Sequence, residues 1–224
     1  MQDSMKACVA ELIGAFALTF IGAGSICVNS YTGNQVGLLG IAVAHGLILS
    51  IAVSATMNLS GGHLNPAVTF GFLLTGKIER KLGLQYIASQ LIGATLAGFF
   101  LRGFFPDQVR QPIFLGTPDV AVGVTTSAAI VIEALLTFLL VFAVWGTAVD
   151  ERAPKIGGFG IGLTICADIL VGGPLTGASM NPSRTFGPAL AAWHWNNHLV
   201  YWIGPFLGAA AAAILYNNLL LKKR

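Results

Sequence analysis

Two Asn-Pro motifs are the residues of this sequence whose chemistry is easiest to define. The heptapeptide NPAVTFG begins at Asn65 and returns as NPSRTFG at Asn181. Asn followed by Pro is a strong signal for the start of a helix, because the Asn side chain caps free backbone N–H groups and Pro fits the first helical position. The two amides would then stand at the positive ends of two helix dipoles, where they can donate hydrogen bonds to a polar molecule.

An arginine and a histidine lie in segments where polar residues are costly. Arg184 follows the second Asn within the motif, and His45 lies in the stretch 12–76, which contains no Asp, Glu, Lys or Arg. An Arg at a helix end can extend to the membrane surface, and a lone His is more often packed than functional. The position of Arg184 within the motif favours a water-filled site, where the guanidinium donates hydrogen bonds to a passing molecule and repels cations. A neutral His45 could donate or accept one bond there.

The composition predicts an integral membrane protein. Of the 224 residues, 55% are hydrophobic and 9% are charged, against about 25% charged residues in soluble domains. This excludes a soluble enzyme, a disordered protein and a nucleic-acid-binding protein, for which the net charge of +3 is also too small. The cysteines, Cys8, Cys27 and Cys166, are scattered and odd in number. We therefore expect no disulfide framework, no metal site and no cofactor.

Six apolar stretches are long enough to cross a bilayer as helices. They lack the polar–apolar alternation of a membrane barrel. The spans are predicted near residues 8–28, 37–58, 82–104, 124–148, 156–173 and 198–220. The basic residues of one face predict that both termini are cytoplasmic; they are Lys6, Lys77, Arg80, Lys81, Arg152, Lys155, Lys222, Lys223 and Arg224. The opposite face has only Arg102 and Arg110.

The paired motifs indicate an internal repeat. Each half has three spans and opens with a helix that carries one acid, Glu11 or Glu133. An odd number of spans forces the second half to insert upside down. Residues 1–115 and 116–224 are therefore predicted to be inverted repeats of one channel domain, 1–224.

The segment after each Asn-Pro motif is too short to span the membrane. About ten helical residues measure about 15 Å, half the thickness of the hydrocarbon. Two half-helices that enter from opposite faces would meet at the midplane. The Gly-rich strings before them cannot be helical, and free carbonyl groups at that depth must line a water-filled path. These carbonyl groups belong to Gly61, Gly62, His63, Gly177, Ala178 and Ser179. The predicted fold is all-α, with six transmembrane helices and two re-entrant half-helices.

Over nearly its whole length the chain resembles the major intrinsic protein family, the aquaporins and glycerol facilitators. The resemblance is carried by Glu11, the string SGGHLNPAVT from Ser60, Glu133 and the string NPSRTFGPA. One departure is Ser183, where the family usually has Ala. The resemblance implies a homotetramer in the lipid bilayer, with a pore in each chain. It also implies that the two buried acids accept backbone amides of the re-entrant loops.

The same resemblance implies two constrictions in the pore. The central constriction lies at Asn65 and Asn181, and the outer selectivity filter consists of His45, Ile169, Ala178 and Arg184. This filter set is similar to that of tonoplast intrinsic proteins and of ammonia-permeable aquaporins. It implies a passive channel for water that also conducts ammonia and excludes protons and ions. Thr185, where glycerol facilitators have an acid, makes glycerol less favoured.

Several alternatives stay open at this point. The chain could chiefly conduct ammonia or another small neutral solute such as urea, hydrogen peroxide or glycerol. A secondary active transporter also uses inverted repeats and broken helices, but it needs acids that couple ions. A membrane hydrolase would need a Ser–His pair, for which Ser60 and His63 are the nearest candidates. Asp168 is unexplained: it could pair with Arg184 or Arg110, or face a neighbouring subunit.

Overall fold

The described part of the chain is a bundle of helices joined by short connections. A computed structural model describes residues 2–154 and 156–221. In chain order its helices are α1 (Gln2–Tyr31), α2 (Gly37–Ser60), α3 (Pro66–Leu74), α4 (Arg80–Phe104), the short α5 (Asp107–Arg110), α6 (Thr126–Val144), α7 (Phe159–Thr176), α8 (Pro182–Ala192) and α9 (Val200–Leu215). A 3-10 turn, Phe114–Gly116, and two π turns, Trp145–Val149 and Tyr216–Leu220, complete the described elements.

Six of these helices are long and apolar enough to cross a membrane, as predicted. They correspond to α1, α2, α4, α7, and to α6 and α9 with their π turns. Their ends differ from the predicted ones by a few residues. The fifth helix, for example, starts at Phe159 and runs on to Thr176, because the chain leaves helical geometry only at Gly177, whose φ is 79°.

The helices α3 and α8 are the two short ones predicted from the Asn-Pro motifs. They have 9 and 11 residues. Each has Pro at its first position and Asn as its cap: the Asn65 Oδ1 atom accepts from the Ala67 backbone N–H at 2.8 Å, and the Asn181 Oδ1 atom accepts from that of Ser183 at 3.0 Å. Trp193, with a left-handed φ of 56°, ends α8.

The two halves of the chain pack in the same way. Helix α1 packs on α4 and α6 on α9, while α3 packs on α9 and α8 on α4. The helix crossings are equally close: a Cβ atom on Gly93 would collide with the carbonyl oxygen of Leu12, and one on Gly208 would collide with that of Ala134. Leu12 and Ala134 each directly follow the buried acid of their half.

The outer faces of the long helices are apolar. Leu47, Ile51, Leu135, Val171 and Leu207 are all more than half exposed, at 55%, 62%, 61%, 69% and 56%. An apolar surface of this extent is unfavourable in water, and it is typical of a surface that is solvated by lipid.

The predicted orientation of the chain rests partly on residues that the structure leaves undescribed. Lys155, Lys222, Lys223 and Arg224 lie outside the described residues. Below, the face that carries the connection 105–125 is called the outer face, and the face that carries the connection 145–158 is called the inner face.

Candidate functional site

The caps of the two half-helices meet in the middle of the molecule. The Asn65 Nδ2 atom donates to the Met180 carbonyl at 2.8 Å, and the Asn181 Nδ2 atom donates to the Leu64 carbonyl at 3.0 Å. Each amide therefore binds the backbone of the opposite re-entrant loop. Its second N–H group has no acceptor among the described residues, and the Asn side chains are 4% and 2% exposed.

A narrow cavity passes these two amides. About 20 Å³ is open to the centres of water molecules, which is enough for water but little more, since one buried water needs about 10–15 Å³ on this measure. Polar groups of the two re-entrant loops and of the filter form part of the wall. The rest of the wall is apolar and consists of Leu18, Leu49, Val53, Val68, Leu140, Val144, Ile161, Ile165 and Met180. Both Asn residues and the four predicted filter residues, His45, Ile169, Ala178 and Arg184, line this one cavity.

Arg184 lies at the outer part of the cavity and is 3% exposed. Its Nη1 atom donates to the Gly116 carbonyl at 2.8 Å, and its Nη2 atom lies 3.3 Å from the His45 Nε2 atom. Among the ion pairs of the described residues, none involves this guanidinium. The cation is therefore held by a carbonyl and an imidazole, and no acid contacts it directly in the described part of the chain.

The carbonyl partner of Arg184 was missed by sequence reasoning. Phe114, Leu115 and Gly116 have φ values of 47°, 59° and 71°, so three consecutive residues are left-handed. This turn directs the Gly116 carbonyl to the arginine. A Cβ atom at Gly116 would lie 2.8 Å from the Ala23 carbonyl oxygen, so glycine is needed for the close approach to α1. One Gly in a loop was the only local signal, and it does not distinguish this turn from others.

The re-entrant loops have left-handed backbone at matching positions. These residues are Gly61, Gly62 and Leu64 in the first loop and Gly177, Ala178 and Met180 in the second. In the described part of the chain no donor reaches the six carbonyl groups predicted to line the path, at Gly61, Gly62, His63, Gly177, Ala178 and Ser179. Four of these residues line the cavity, namely Gly62, His63, Ala178 and Ser179, whereas Gly61 and Gly177 do not.

Glu11 and Glu133 are fully buried and hold the two re-entrant loops. Glu11 accepts from the backbone N–H groups of His63 at 2.9 Å and Leu64 at 2.6 Å. Glu133 accepts from those of Ser179 at 3.0 Å and Met180 at 2.8 Å. The two acids thus make the same pair of bonds, each to the loop of its own half.

Other polar side chains support the loops and were missed by sequence reasoning. Gln90 donates to Glu11 at 2.6 Å. The Tyr86 hydroxyl donates to the Ser60 carbonyl at 3.0 Å, and the Tyr201 hydroxyl donates to the Thr176 carbonyl at 2.7 Å. These partners lie far from the loops in the chain, so no local pattern pointed to them.

Ser60 and His63 do not form the pair that a hydrolase would need. The Ser60 hydroxyl donates to Glu11 at 2.6 Å. The His63 Nδ1 atom lies 3.2 Å from the Thr69 hydroxyl, and its ring packs on Phe72 with 4.1 Å between ring centroids. Both side chains thus support the first re-entrant loop.

Asp168 pairs with neither of the arginines considered from the sequence. It is 4% exposed, and its Oδ2 atom has no hydrogen-bond partner among the described residues. Arg110 pairs instead with Asp107. Because Asp168 is buried inside the protomer, its side chain presents little surface to a neighbouring subunit. Within residues 2–154 and 156–221 no cluster of three or more potential metal ligands occurs.

The chain is similar to known proteins over nearly its whole length. The family profile described as "Major intrinsic protein" matches residues 1–216. "Probable aquaporin TIP3-2" of Arabidopsis thaliana is 44% identical over 98% of this chain and 85% of that protein. "Aquaporin TIP4-4" of Zea mays is 41% identical over 97% and 87%. The structure of the aquaglyceroporin from Plasmodium falciparum has a TM-score of 0.86 and covers 97% of both chains. Its identity of 24% makes it a likeness of fold alone.

Proposed function

The chain belongs to the major intrinsic protein family, and from this premise we propose that its pore conducts water and ammonia and excludes protons and ions. It is an integral, multi-pass membrane channel and not an enzyme. Channels of this family pass water and small neutral solutes passively. The specific solutes and the residues that select them are the subject of the proposal.

The crossed amides of Asn65 and Asn181 are the observation that carries the proposal. Each amide has one N–H group left for the cavity. A water molecule between them accepts from both, so its own hydrogens point away toward the two mouths. The chain of donors and acceptors along the water file then reverses at this point, which interrupts proton relay. The positive ends of the α3 and α8 dipoles add a barrier to hydronium.

Ions are excluded because the wall of the cavity offers too few polar groups to replace their hydration shell. The free carbonyl groups of the two loops share the wall with apolar side chains, among them Ile161, Ile165 and Ile169. A water molecule regains most of its hydrogen bonds on such a track, whereas an ion loses a hydration shell that the wall does not replace. The positive charge of Arg184 further repels cations.

Ile169 and Ala178 support ammonia as a second solute. Both side chains face the cavity next to Arg184 and offer no hydrogen bond. Ammonia is less strongly hydrated than water, so an apolar wall penalises it less. The resemblance of the filter set His45, Ile169, Ala178 and Arg184 to that of ammonia-permeable aquaporins supports the same assignment.

The proposal is tested by measuring water and ammonia permeability on the same proteoliposomes. Stopped-flow light scattering reports water, and an internal pH dye reports ammonia. We expect both to rise above those of protein-free vesicles, with a low activation energy for water. Water flux without ammonia flux would contradict the ammonia assignment. Saturable uptake that depends on an ion gradient would overturn the channel and favour a transporter.

We also infer that residues 1–115 and 116–224 are inverted repeats within one channel domain, 1–224. Support comes from the equivalent bonds of Glu11 and Glu133 and from the equivalent glycine contacts of the two halves. Both termini are proposed to be cytoplasmic. A homotetramer is proposed from membership of the family, and mass measurement of the detergent-solubilised protein tests it.

A further inference from the structure

The loop segment 113–121, called the outer segment below, connects three parts of the outer mouth. At its middle, the Gly116 carbonyl holds Arg184. Further on, Pro118 packs against Gly177, where an added Cβ atom would lie 2.9 Å from the Pro118 Cβ atom. At its end, the Ala121 backbone N–H donates to the Leu175 carbonyl at 2.9 Å. The outer segment therefore lies directly on the filter, and its position sets that of the guanidinium.

The backbone of the outer segment needs to be held in place. Phe114 and Leu115 are left-handed although neither is glycine, and such conformations persist only where the surroundings impose them. Leu115 is 1% exposed and packs with Ala23, Cys27 and Leu101. Phe114, by contrast, is 42% exposed, and its ring stacks on that of His194.

His194 ties the outer segment to the far end of helix α8. Its ring stacks on Phe114 with 3.7 Å between centroids and 7° between planes. Its Nε2 atom lies 2.7 Å from the Asp119 Oδ2 atom, and the other oxygen of that carboxylate accepts from Asn197 at 3.2 Å. The His194 backbone N–H donates to the Ala189 carbonyl in α8 at 2.9 Å. The His194 side chain is 8% exposed, so its hydrogen bond to Asp119 is more buried than the Arg110–Asp107 ion pair.

These contacts close a ring. Arg184 lies near the start of α8, and His194 follows the end of this helix. The outer segment contacts both residues: its Gly116 carbonyl binds Arg184, and its Phe114 and Asp119 side chains contact His194. We propose that Asp119 and His194 are positioning residues: they fasten the outer segment so that its Gly116 carbonyl holds the Arg184 guanidinium at the filter, and they thereby set which solutes pass. This inference rests on the proposed filter role of Arg184.

The consequence of releasing the outer segment follows from the bonds of Arg184. The guanidinium has one carbonyl anchor and one imidazole anchor, at Gly116 and His45. Without the carbonyl it turns about its remaining anchor, and the filter widens. Small neutral solutes larger than water, such as urea, then pass more readily, while water is little affected.

The test compares urea and water permeability in proteoliposomes for His194→Ala, Asp119→Ala and His194→Gln. We expect the first two to raise the urea-to-water ratio about threefold or more, the scale of coupling within one hydrogen-bond network. Gln can still donate to Asp119, so His194→Gln restores most of the selectivity. The matched control is His198→Ala: His198 lies on the same face and accepts from the Trp202 indole at 3.1 Å, but its described contacts do not include the outer segment.

A double variant separates positioning from a general loss of packing. Because the pair acts through Arg184, adding His194→Ala to Arg184→Ala leaves the urea-to-water ratio of the single Arg184→Ala variant unchanged. An independent further increase overturns the inference, and so does an unchanged ratio in both His194→Ala and Asp119→Ala. If His194→Ala yields no monodisperse protein, Asp119→Ala, at a site that is 28% exposed, carries the same expectation.

The two proposals fail in different ways. If Arg184→Ala alone leaves the ratio unchanged, the filter role of Arg184 is wrong. If Arg184→Ala raises the ratio and neither His194→Ala nor Asp119→Ala does, the filter stands and the positioning role of the pair is wrong.

Discussion

His45 accepts a hydrogen bond from Arg184 at the outer part of the pore. The His45 Nδ1 atom lies 2.8 Å from the Ile41 carbonyl, which can only accept, so this nitrogen carries the hydrogen. The Nε2 atom is then the acceptor for the Arg184 Nη2 atom at 3.3 Å. Both ring nitrogens have protein partners, so the imidazole orients the arginine as well as lining the cavity.

Replacing Arg184 with Ala should raise urea and glycerol permeability relative to water by about tenfold, the effect of about 1.4 kcal/mol of lost discrimination. The variant should also let cations leak through the pore, because the positive charge of the guanidinium is removed. Solute flux and vesicle conductance measure both effects. Arg102→Ala is the control, since Arg102 likewise donates to a carbonyl, that of Ala191 at 2.8 Å, but does not line the pore. Equal changes in the two variants would refute the gatekeeping role.

Replacing His45 with Phe should lower ammonia permeability more than water permeability. The larger ring fills the filter and removes the acceptor that orients Arg184. Light scattering and internal pH on the same vesicles give the two values. Equal losses of both would mean that His45 only packs.

Gly22→Ala should disturb the filter by displacing the His45 ring. A Cβ atom at Gly22 would lie 2.5 Å from the His45 Nε2 atom, so the imidazole must move. We expect a reduced ammonia-to-water ratio. In the control, Gly24→Ala, the new Cβ atom meets the end of the Leu101 side chain at 3.3 Å, which can shift. An unchanged ratio for Gly22→Ala would show that the filter tolerates movement of His45.

Glu11→Gln and Glu133→Gln should each destabilise the fold by about 1–3 kcal/mol, because the two backbone N–H groups bind different carboxylate oxygens and one of these oxygens becomes an NH2 donor in the amide, which leaves a buried N–H group without an acceptor. Thermal unfolding in detergent measures the loss, and the exposed Glu79→Gln is the control. Folded protein should still conduct water without a proton gradient. A variant of normal stability whose flux has lost dependence on pH gradient would instead favour proton coupling.

Asp168→Asn should leave water permeability unchanged and keep or raise the unfolding temperature. The Oδ2 atom of Asp168 has no donor in the described part of the chain, and a buried carboxylate oxygen without a partner is costly. Replacing the carboxylate with a neutral amide therefore removes the free-energy cost of burying a negative charge. A clear loss of permeability at normal stability would assign Asp168 to transport.

Asp150 gives a pH dependence at the inner face. Hydrogen bonds from Arg152, at 2.5 Å and 2.9 Å, hold the pKa of Asp150 below its ordinary value of 3.8. A lowered pKa in the folded state stabilises the fold above the ordinary value, and the stabilisation is lost as pH falls through the folded value. The difference in unfolding temperature between the native chain and Asp150→Asn should thus be constant near neutral pH and shrink only below about pH 4. A difference that shrinks already above about pH 5 would contradict this pairing.

Much of the architecture could be read from local sequence. Asn65 and Asn181 cap their helices through residues two positions away, and the apolar length of each span reflects the thickness of the bilayer. Periodicity and capping are short-range effects, so the six spans were predicted to within a few residues. The equivalent positions of Glu11 and Glu133 could also be predicted, because the two Asn-Pro motifs and the acids recur at similar spacing in the sequence.

The tertiary structure decided what the polar groups bind. His45 and Arg184 are 139 positions apart, Gly116 and Arg184 are 68 apart, and Asp119 and His194 are 75 apart. No local pattern joins such pairs, because they meet only when helices from both halves have packed. The sequence by itself determined that a polar path crosses the membrane between two half-helices. Only the folded chain determined which carbonyl and which imidazole hold the arginine there, because hydrogen bonds depend on distance and direction between atoms that the chain brings together last.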